Sequence, residues 1–277
     1  MISGRTTLVA HLGYPTESFK APLIYNPWFE KLGIDAVVVP MGVKAENYPA
    51  FFKSLFRLTN IRGALVTMPH KVTTVGLLDQ VSTAVKVAGS CNAVLRREDG
   101  TLTGDMFDGS GFTRGLKRKG FRFDGATCLI VGTGGVGSAI AASLAAERPV
   151  SIALCDASVA SAESLAARLQ EYHPEVAVEV RGSDPAGYSL VVNATPLGMN
   201  PGDPLPFDAE RLDPETFVGE VVMKEEMTPL LRAAAGRGCR YQVGTDMLFE
   251  QIPAYLEFFG FGTATPEELR AVSRVSG

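Results

Sequence analysis

Apolar positions along this chain follow two alternating patterns. Short uninterrupted runs, TTLVAHLG, DAVVVPM and IRGALVTMP, are rich in Val, Ile and Leu and bounded by Gly or Pro, the signature of buried strands. Between them APLIYNPWFEKLG and NYPAFFKSLFRL carry apolar residues at helical spacing. Strand–helix alternation up to about residue 105 predicts an α/β domain with mostly parallel strands. GDMFDGSGF, with three glycines and two aspartates around Met106 and Phe107, reads as a crossing between domains, and FTRGLKRKG as a basic helix after it. A second α/β unit follows: strand ATCLIVG, helix SAIAASLAAE, strand VSIALCDAS. The tail from Gly244, GTDMLFEQIPAYLEFFG, is apolar at helical spacing despite a proline, and is expected to pack back on the first domain. The expected division is residues 1–108 plus 245–277 for one domain and 109–244 for the other. The chain shows no internal repeat and no low-complexity tract.

Composition narrows the class. The 277 residues are enough for two compact domains, and 46% hydrophobic with 20% charged is the balance of a soluble globular protein. A formal net charge of −4 gives no reason to expect nucleic acid or an anionic membrane as partner. Cys91, Cys128, Cys155 and Cys239 form no C-x-x-C pair, so reduced intracellular thiols are expected rather than zinc or redox chemistry. His11, His70 and His173 are far apart and lack acidic neighbours at ligand spacing, so no metal is expected. MISGRTTLVAHLGYP lacks the apolar run of a signal peptide, and no segment approaches the roughly 18–20 apolar residues of a membrane span. A cytoplasmic protein, monomer or homodimer, acting on a small molecule is expected.

The stretch VGTGGVGSAIAASLAAE carries Gly132, Gly134 and Gly137 as G-x-G-x-x-G, with Gly135 and Val136 inside it, directly after a strand and opening a helix. The first glycine permits the tight turn, the second lets backbone approach a pyrophosphate, and the third allows close helix–strand packing. The helix N-terminus then supplies amide donors and a favourable dipole. Asp156 ends the second strand about 20 residues further on, where an acid takes the ribose hydroxyls of NAD. Its bland alternative is a helix N-cap, a role Ser158 fills equally well. A further run, SLVVNATPLGM, ends in Asn193, Ala194, Thr195 and Pro196, like a strand whose carboxyl end opens into a ligand crevice. In the first domain, IRGALVTMPHK leads a buried strand through Thr67 to Lys71, where a lysine can exchange a proton with a substrate or simply be solvated. Asn92 in AGSCNAVL and Asp108 in the crossing are further polar candidates, although Asp beside Gly is usually turn chemistry.

Taken together, YPTESFKAPLIYN, ALVTMPHK, AGSCNAV, GDMFDG, VGTGGVGSA, NATPLGM and GTDMLFEQ resemble, in order and spacing, the shikimate/quinate dehydrogenase family. The resemblance implies a first domain for substrate, a Rossmann domain inserted after it, a C-terminal segment returning to the first, and hydride transfer between a nicotinamide and the ring hydroxyl of an alicyclic hydroxy acid. It implies Lys71 and Asp108 as the catalytic pair. Thr67, Asn92 and Gln251 become substrate contacts, and Gly244 and Met247 join the nucleotide contacts. Four departures bear on specificity. The family's S-x-S-P, whose hydroxyls hold the substrate carboxylate, reads Phe19-Lys20-Ala21-Pro22 here, leaving Lys20 as a conceivable point-charge anchor. N-V-T-x-P reads Leu65-Val66-Thr67-Met68-Pro69, so an amide is lost, and Met223 stands where a tyrosine is usual. The arginine that clamps the 2′-phosphate of NADP is replaced by the Cys155-Asp156-Ala157 turn, so NAD is the expected cofactor. The alternatives are a non-catalytic NAD-binding ligand sensor on the same scaffold, and a dehydrogenase with an iminium or methylene-folate acceptor.

Overall fold

A computed structural model describes residues 2–17 and 19–275; Ser18, inside the motif YPTESFKAPLIYN, lies outside the described residues. The chain divides into two compact units, Met1–Phe107 with Ile252–Gly277, and Asp108–Gln251. The second division falls inside a helix, whereas the sequence places it at Gly244.

In the first unit, strand β1 (Thr7–Gly13), helix α1 (Pro22–Leu32), β2 (Ala36–Gly42), α2 (Tyr48–Leu55) and β3 (Ile61–Val66) alternate as the apolar pattern dictates. Helix α1 starts with proline at its first turn and stops at Gly33, whose φ of +66° is the left-handed cap that costs glycine least. Short elements follow: α3 (Lys71–Val75), β4 (Gln80–Val81), α4 (Thr83–Ala88), β5 (Ala93–Arg96) and β6 (Leu102–Asp105). The sheet runs β2-β1-β3-β5-β6-β4, parallel from β2 to β3 and antiparallel from β3 through β5 to β6.

The second unit contains α5 (Asp108–Arg118), β7 (Thr127–Val131), α6 (Gly135–Ala146), β8 (Ser151–Cys155), α7 (Val159–Tyr172), β9 (Ala177–Val180), β10 (Leu190–Asn193), β11 (Phe217–Glu220), α8 (Pro229–Gly236) and β12 (Arg240–Gln242). Its sheet is wholly parallel in the order β12-β11-β10-β7-β8-β9, with the strand order reversing between β7 and β10. That is the doubly wound dinucleotide-binding order, whose ligand crevice opens where strand order reverses.

Helix α9 (Gly244–Phe259) closes the second unit with its first half and enters the first unit at Ile252; α10 (Pro266–Val272) ends the chain. Within the first unit, Phe259 packs so closely on β3 that a Cβ on Gly63 would lie 2.6 Å from its ring. Arg62 Nε donates to the Phe259 carbonyl at 2.8 Å.

The glycine-rich stretch expected as a crossing between domains holds the division between the units at Phe107–Asp108, and the chain is helical from Asp108. Its glycines serve contact rather than turning: a Cβ on Gly109 would lie 1.9 Å from the Ala139 carbonyl oxygen, and one on Gly115 2.5 Å from Gln242 Oε1. The basic end of α5 is paired with α9, through Arg118–Glu250 at 2.6 Å and Lys119–Asp246 at 3.0 Å.

Candidate functional site

In the second unit the glycine loop and the loop after β10 meet backbone to backbone. Gly132 has φ +100°, and a Cβ there would sit 2.7 Å from the Ala194 carbonyl carbon and 2.9 Å from Thr195 N. At Gly137 a Cβ would lie 1.9 Å from the Gly132 oxygen and 3.2 Å from Ala194 Cβ. Gly134 and Gly135 are different: they are exposed, and an added Cβ would meet nothing within 4 Å. Helix α6 opens at Gly135 after an extended Gly134 and takes no side-chain cap. Its first-turn amides therefore face an open glycine surface, a geometry that accepts a pyrophosphate. Val136 is half-buried beside them.

Asp156 is fastened to this loop. Its Oδ2 accepts the Thr133 N–H at 2.6 Å and the Thr133 hydroxyl at 2.9 Å, and its Oδ1 accepts the Ser158 N–H at 2.9 Å. Partial burial pushes its carboxyl up, but the hydrogen bonds from Thr133 and Ser158 outweigh it, and the net position is below the usual carboxylate range. The capping of α7 belongs to Ser158, whose hydroxyl accepts from Ser161 N. Arg168, the first basic side chain after Asp156, donates to the Ser164 carbonyl and hydroxyl on its own helix.

Asn193, expected as a nucleotide contact, is fully buried, and its amide is occupied inside the protein. Its Oδ1 accepts from Thr195 N at 3.1 Å and Thr195 Oγ1 at 2.7 Å, while its Nδ2 donates to the Leu197 carbonyl and to Glu220 Oε1. The side chain shapes the loop instead of lining it; Ala194, Thr195 and Pro196 carry the accessible surface. Glu220, which the sequence reading does not single out, is the hub beneath. Its Oε1 accepts from Asn193, Val221 N and Val222 N, and its Oε2 from the Thr228 hydroxyl that caps α8. Burial lifts its carboxyl above the usual range despite these bonds. Gly244 packs on the chain leaving β11, where a Cβ would lie 2.2 Å from the Val222 oxygen, and Met247 is buried.

In the first unit, β3 ends at Val66 and the chain passes Thr67, Met68 and Pro69 before Lys71 opens α3. The turn is held by Thr67 N–H on the Leu12 carbonyl and His70 N–H on the Thr67 carbonyl. His70 is buried, stacked 3.8 Å from the Tyr48 ring with Nε2 2.8 Å from the Val43 carbonyl, so it anchors the segment that presents Lys71. The Lys71 carbonyl accepts from Cys91 N, which ties α3 to the strand entry at Asn92. Asn92 is buried; its Oδ1 accepts the Phe107 N–H at 2.9 Å, and its carbonyl accepts from Val66 N and from the Tyr255 hydroxyl.

The β1 end of this unit is unexpectedly apolar and aromatic. The Phe19 ring stacks on the His11 imidazole with centroids 4.0 Å apart, and its Cζ lies 2.8 Å from where a Gly13 Cβ would stand, next to Thr67 Cγ2. Leu65 is the register partner of His11 across β1 and β3. His11 is buried and its Nδ1 has no hydrogen-bond partner among the described residues, a state costing about 1–3 kcal/mol. Burial first, and the Lys71 charge second, hold its pKa down at about 4. Ala21 is half-buried at the start of α1, while Lys20 is exposed. Thus Phe19, Thr67, His11 and Leu65 are gathered at one sheet end. Asp108 and Gln251 open and close the other unit; Asp108 is buried, and Gln251 Oε1 is buried with no partner among the described residues. No group of three or more His, Cys, Asp or Glu among the described residues is arranged to hold a metal, and no described helix is long and apolar enough to cross a membrane.

Comparison with known proteins gives the same direction. Residues 12–94 match the shikimate dehydrogenase substrate binding domain. A shikimate dehydrogenase (NADP(+)) of Rubrobacter xylanophilus is 36% identical over 254 residues, covering 90% of this chain and 89% of the relative. The crystal structure of shikimate 5-dehydrogenase from Listeria monocytogenes in complex with shikimate and NAD superposes with a TM-score of 0.91 at 27% identity, covering 98% of this chain and 97% of that one. A ligand-free 5-ketofructose reductase of Gluconobacter sp. strain CHM43 gives 0.89 at 26% identity, covering 98% of both chains. With a parallel sheet whose strand order reverses at the glycine loop and a shikimate dehydrogenase 36% identical over 90% of the chain, this chain belongs to the shikimate/quinate dehydrogenase family.

Proposed function

We propose that this protein is an NAD-dependent dehydrogenase. It moves hydride between the nicotinamide and the ring hydroxyl of a shikimate/quinate-like alicyclic hydroxy acid, with altered recognition of the acid group. The observation that carries the cofactor reading is Asp156. Its carboxylate directly follows β8, is fixed to the glycine loop through Thr133, and among the described residues keeps one oxygen with only the Ser158 N–H on it. A carboxylate so placed accepts from ribose hydroxyls and repels a 2′-phosphate. The open surface of Gly134 and Gly135 fits the pyrophosphate, with Gly132, Val136, Gly137, Ala194, Thr195 and Pro196 around it, and Gly244 and Met247 completing the nucleotide side.

The bound cofactor supplies the hydride acceptor or donor. An alcohol losing hydride must also lose its proton; Lys71, presented by the turn that His70 anchors, takes it as the uncharged amine, and in the reductive direction the charged ammonium returns it to the carbonyl oxygen, with Asp108 as the accompanying carboxylate. Thr67, Asn92 and Gln251 are the proposed substrate contacts, and Phe19 and Ala21 replace hydroxyls by carbon. Shikimate, quinate, uncharged cyclohexane polyols and 5-ketofructose, each with NAD(H) and NADP(H) and followed at the nicotinamide absorbance band, test the reading. Turnover linked to NAD with at least one compound is expected. Tight NAD binding without turnover of any would favour the sensor reading instead.

A further inference from the structure

The aromatic and aliphatic replacements at the β1 end stand beside Thr67 and enclose the His11 imidazole. His11 lies on β1 in register with Leu65, with the Phe19 ring over its face and Phe19 in turn reaching Gly13 and Thr67. Its Nδ1 is buried and unpartnered, although buried polar atoms in folded proteins nearly always find a partner. Stacking on Phe19 fixes the ring, so the nitrogen cannot swing out to water without breaking that contact. A group that arrives with the ligand satisfies it most simply.

The chemistry of that group is constrained by its surroundings. Lys71, whose charge acts on this ring, is the proposed proton-transfer group. A carboxylate placed against His11 would lose its water to Phe19, Leu65 and a neutral imidazole, and one hydrogen bond does not offset that loss. A hydroxyl or ketone oxygen loses far less water, and a hydroxyl can donate to or accept from whichever imidazole tautomer is present. We infer that His11 is a specificity-determining substrate contact, and that the substrate presents an uncharged oxygen to it, as a polyol or hydroxyketone without a carboxylate at that end. This rests on the dehydrogenase reading above and moves its preferred substrate from the hydroxy acid to an uncharged relative of it.

Burial and the Lys71 charge keep the imidazole neutral, which agrees with an uncharged partner. The test is steady-state kinetics of the wild-type protein, His11→Leu and His11→Gln on shikimate and quinate and on the uncharged cyclohexane polyols and 5-ketofructose. NAD binding by fluorescence and thermal melting are measured on all three proteins. The wild type should prefer an uncharged compound. His11→Leu should raise its KM roughly tenfold to a hundredfold, with kcat changed far less and with NAD affinity and melting kept. His11→Gln, which retains a donor and an acceptor, should recover most of the loss. An unchanged KM in His11→Leu would overturn the role of His11 while leaving the dehydrogenase standing. So would a wild-type preference for an acid that is lost in His11→Leu, because His11 would then be a protonated anion anchor. No turnover of any compound by the wild type would remove the dehydrogenase reading and this inference together.

Discussion

The Asp156 carboxylate accepts both the backbone N–H and the hydroxyl of Thr133, at 2.6 and 2.9 Å, so the acid directly following β8 is part of the glycine loop's own structure. Two consequences for nucleotide binding follow from this bond. NADP would bring a dianion beside a fixed carboxylate, a repulsion on the order of a few kcal/mol in a partly solvated site. At about 1.4 kcal/mol per tenfold, NAD should bind at least about a hundredfold more tightly. Asp156→Ala should narrow that ratio but also loosen the loop, since Thr133 loses its acceptor, so NAD affinity should fall by more than the ribose contacts alone account for. Calorimetric titration of both nucleotides into both proteins measures this; equal Kd values for the wild type would contradict the assignment.

Glu220 should be a stability hub. Replacing it by Leu strands the Asn193 amide, two backbone N–H groups and the Thr228 hydroxyl, a loss of more than about 3 kcal/mol by the cost of unsatisfied donors. Glu220→Gln keeps an acceptor for three of these donors and should stay within about 1 kcal/mol at neutral pH. Because burial raises the folded carboxyl, the folded protein holds this proton to higher pH than the unfolded chain does. Its contribution is therefore most favourable below the ordinary carboxylate range and weakens as pH rises toward the folded value. Urea denaturation across pH should show that slope in the wild type and not in Glu220→Gln.

His11 gives the opposite slope. Its folded pKa of about 4 lies below the ordinary 6.5, so the unfolded state binds the proton first. Stability from this group is complete above pH 6.5 and is lost as pH falls toward 4, by about 3 kcal/mol at roughly 1.4 per pKa unit. Denaturation midpoints of His11→Leu should fall less steeply than wild type over that window. Parallel curves would place the imidazole in a more solvated setting.

How much of this was legible in the sequence depended on whether burial or contact set the residue type. The Val- and Ile-rich runs that became β1, β2, β3, β7 and β8 declared themselves by short apolar stretches bounded by Gly or Pro, although β2 lies at the sheet edge and β1 and β3 each carry a polar residue, His11 and Arg62. The glycine loop was legible through its place between strand and helix. Gly109 and Gly111 were not: in a sequence they look like a crossing between domains, and only the nearness of Ala139 and Gln251 shows why a helix carries them. Glu220 looks like any acid ending a strand until its four donors are seen. Asn193 was found for its position, but its amide turned out to be consumed by the loop it shapes. His11 was readable only as a histidine without metal-spaced neighbours, since neither its stacking on Phe19 nor its empty Nδ1 leaves a trace in spacing.

The account stands most directly on Lys71. With the best substrate and saturating NAD, Lys71→Met should lower kcat by about 10²–10⁴-fold, the range for a group that transfers a proton in the reaction. The Kd for NAD should be nearly unchanged, because the proposed nucleotide site is the other unit's glycine loop. A Lys71→Met protein that turns over that substrate at close to the wild-type kcat would contradict the central claim.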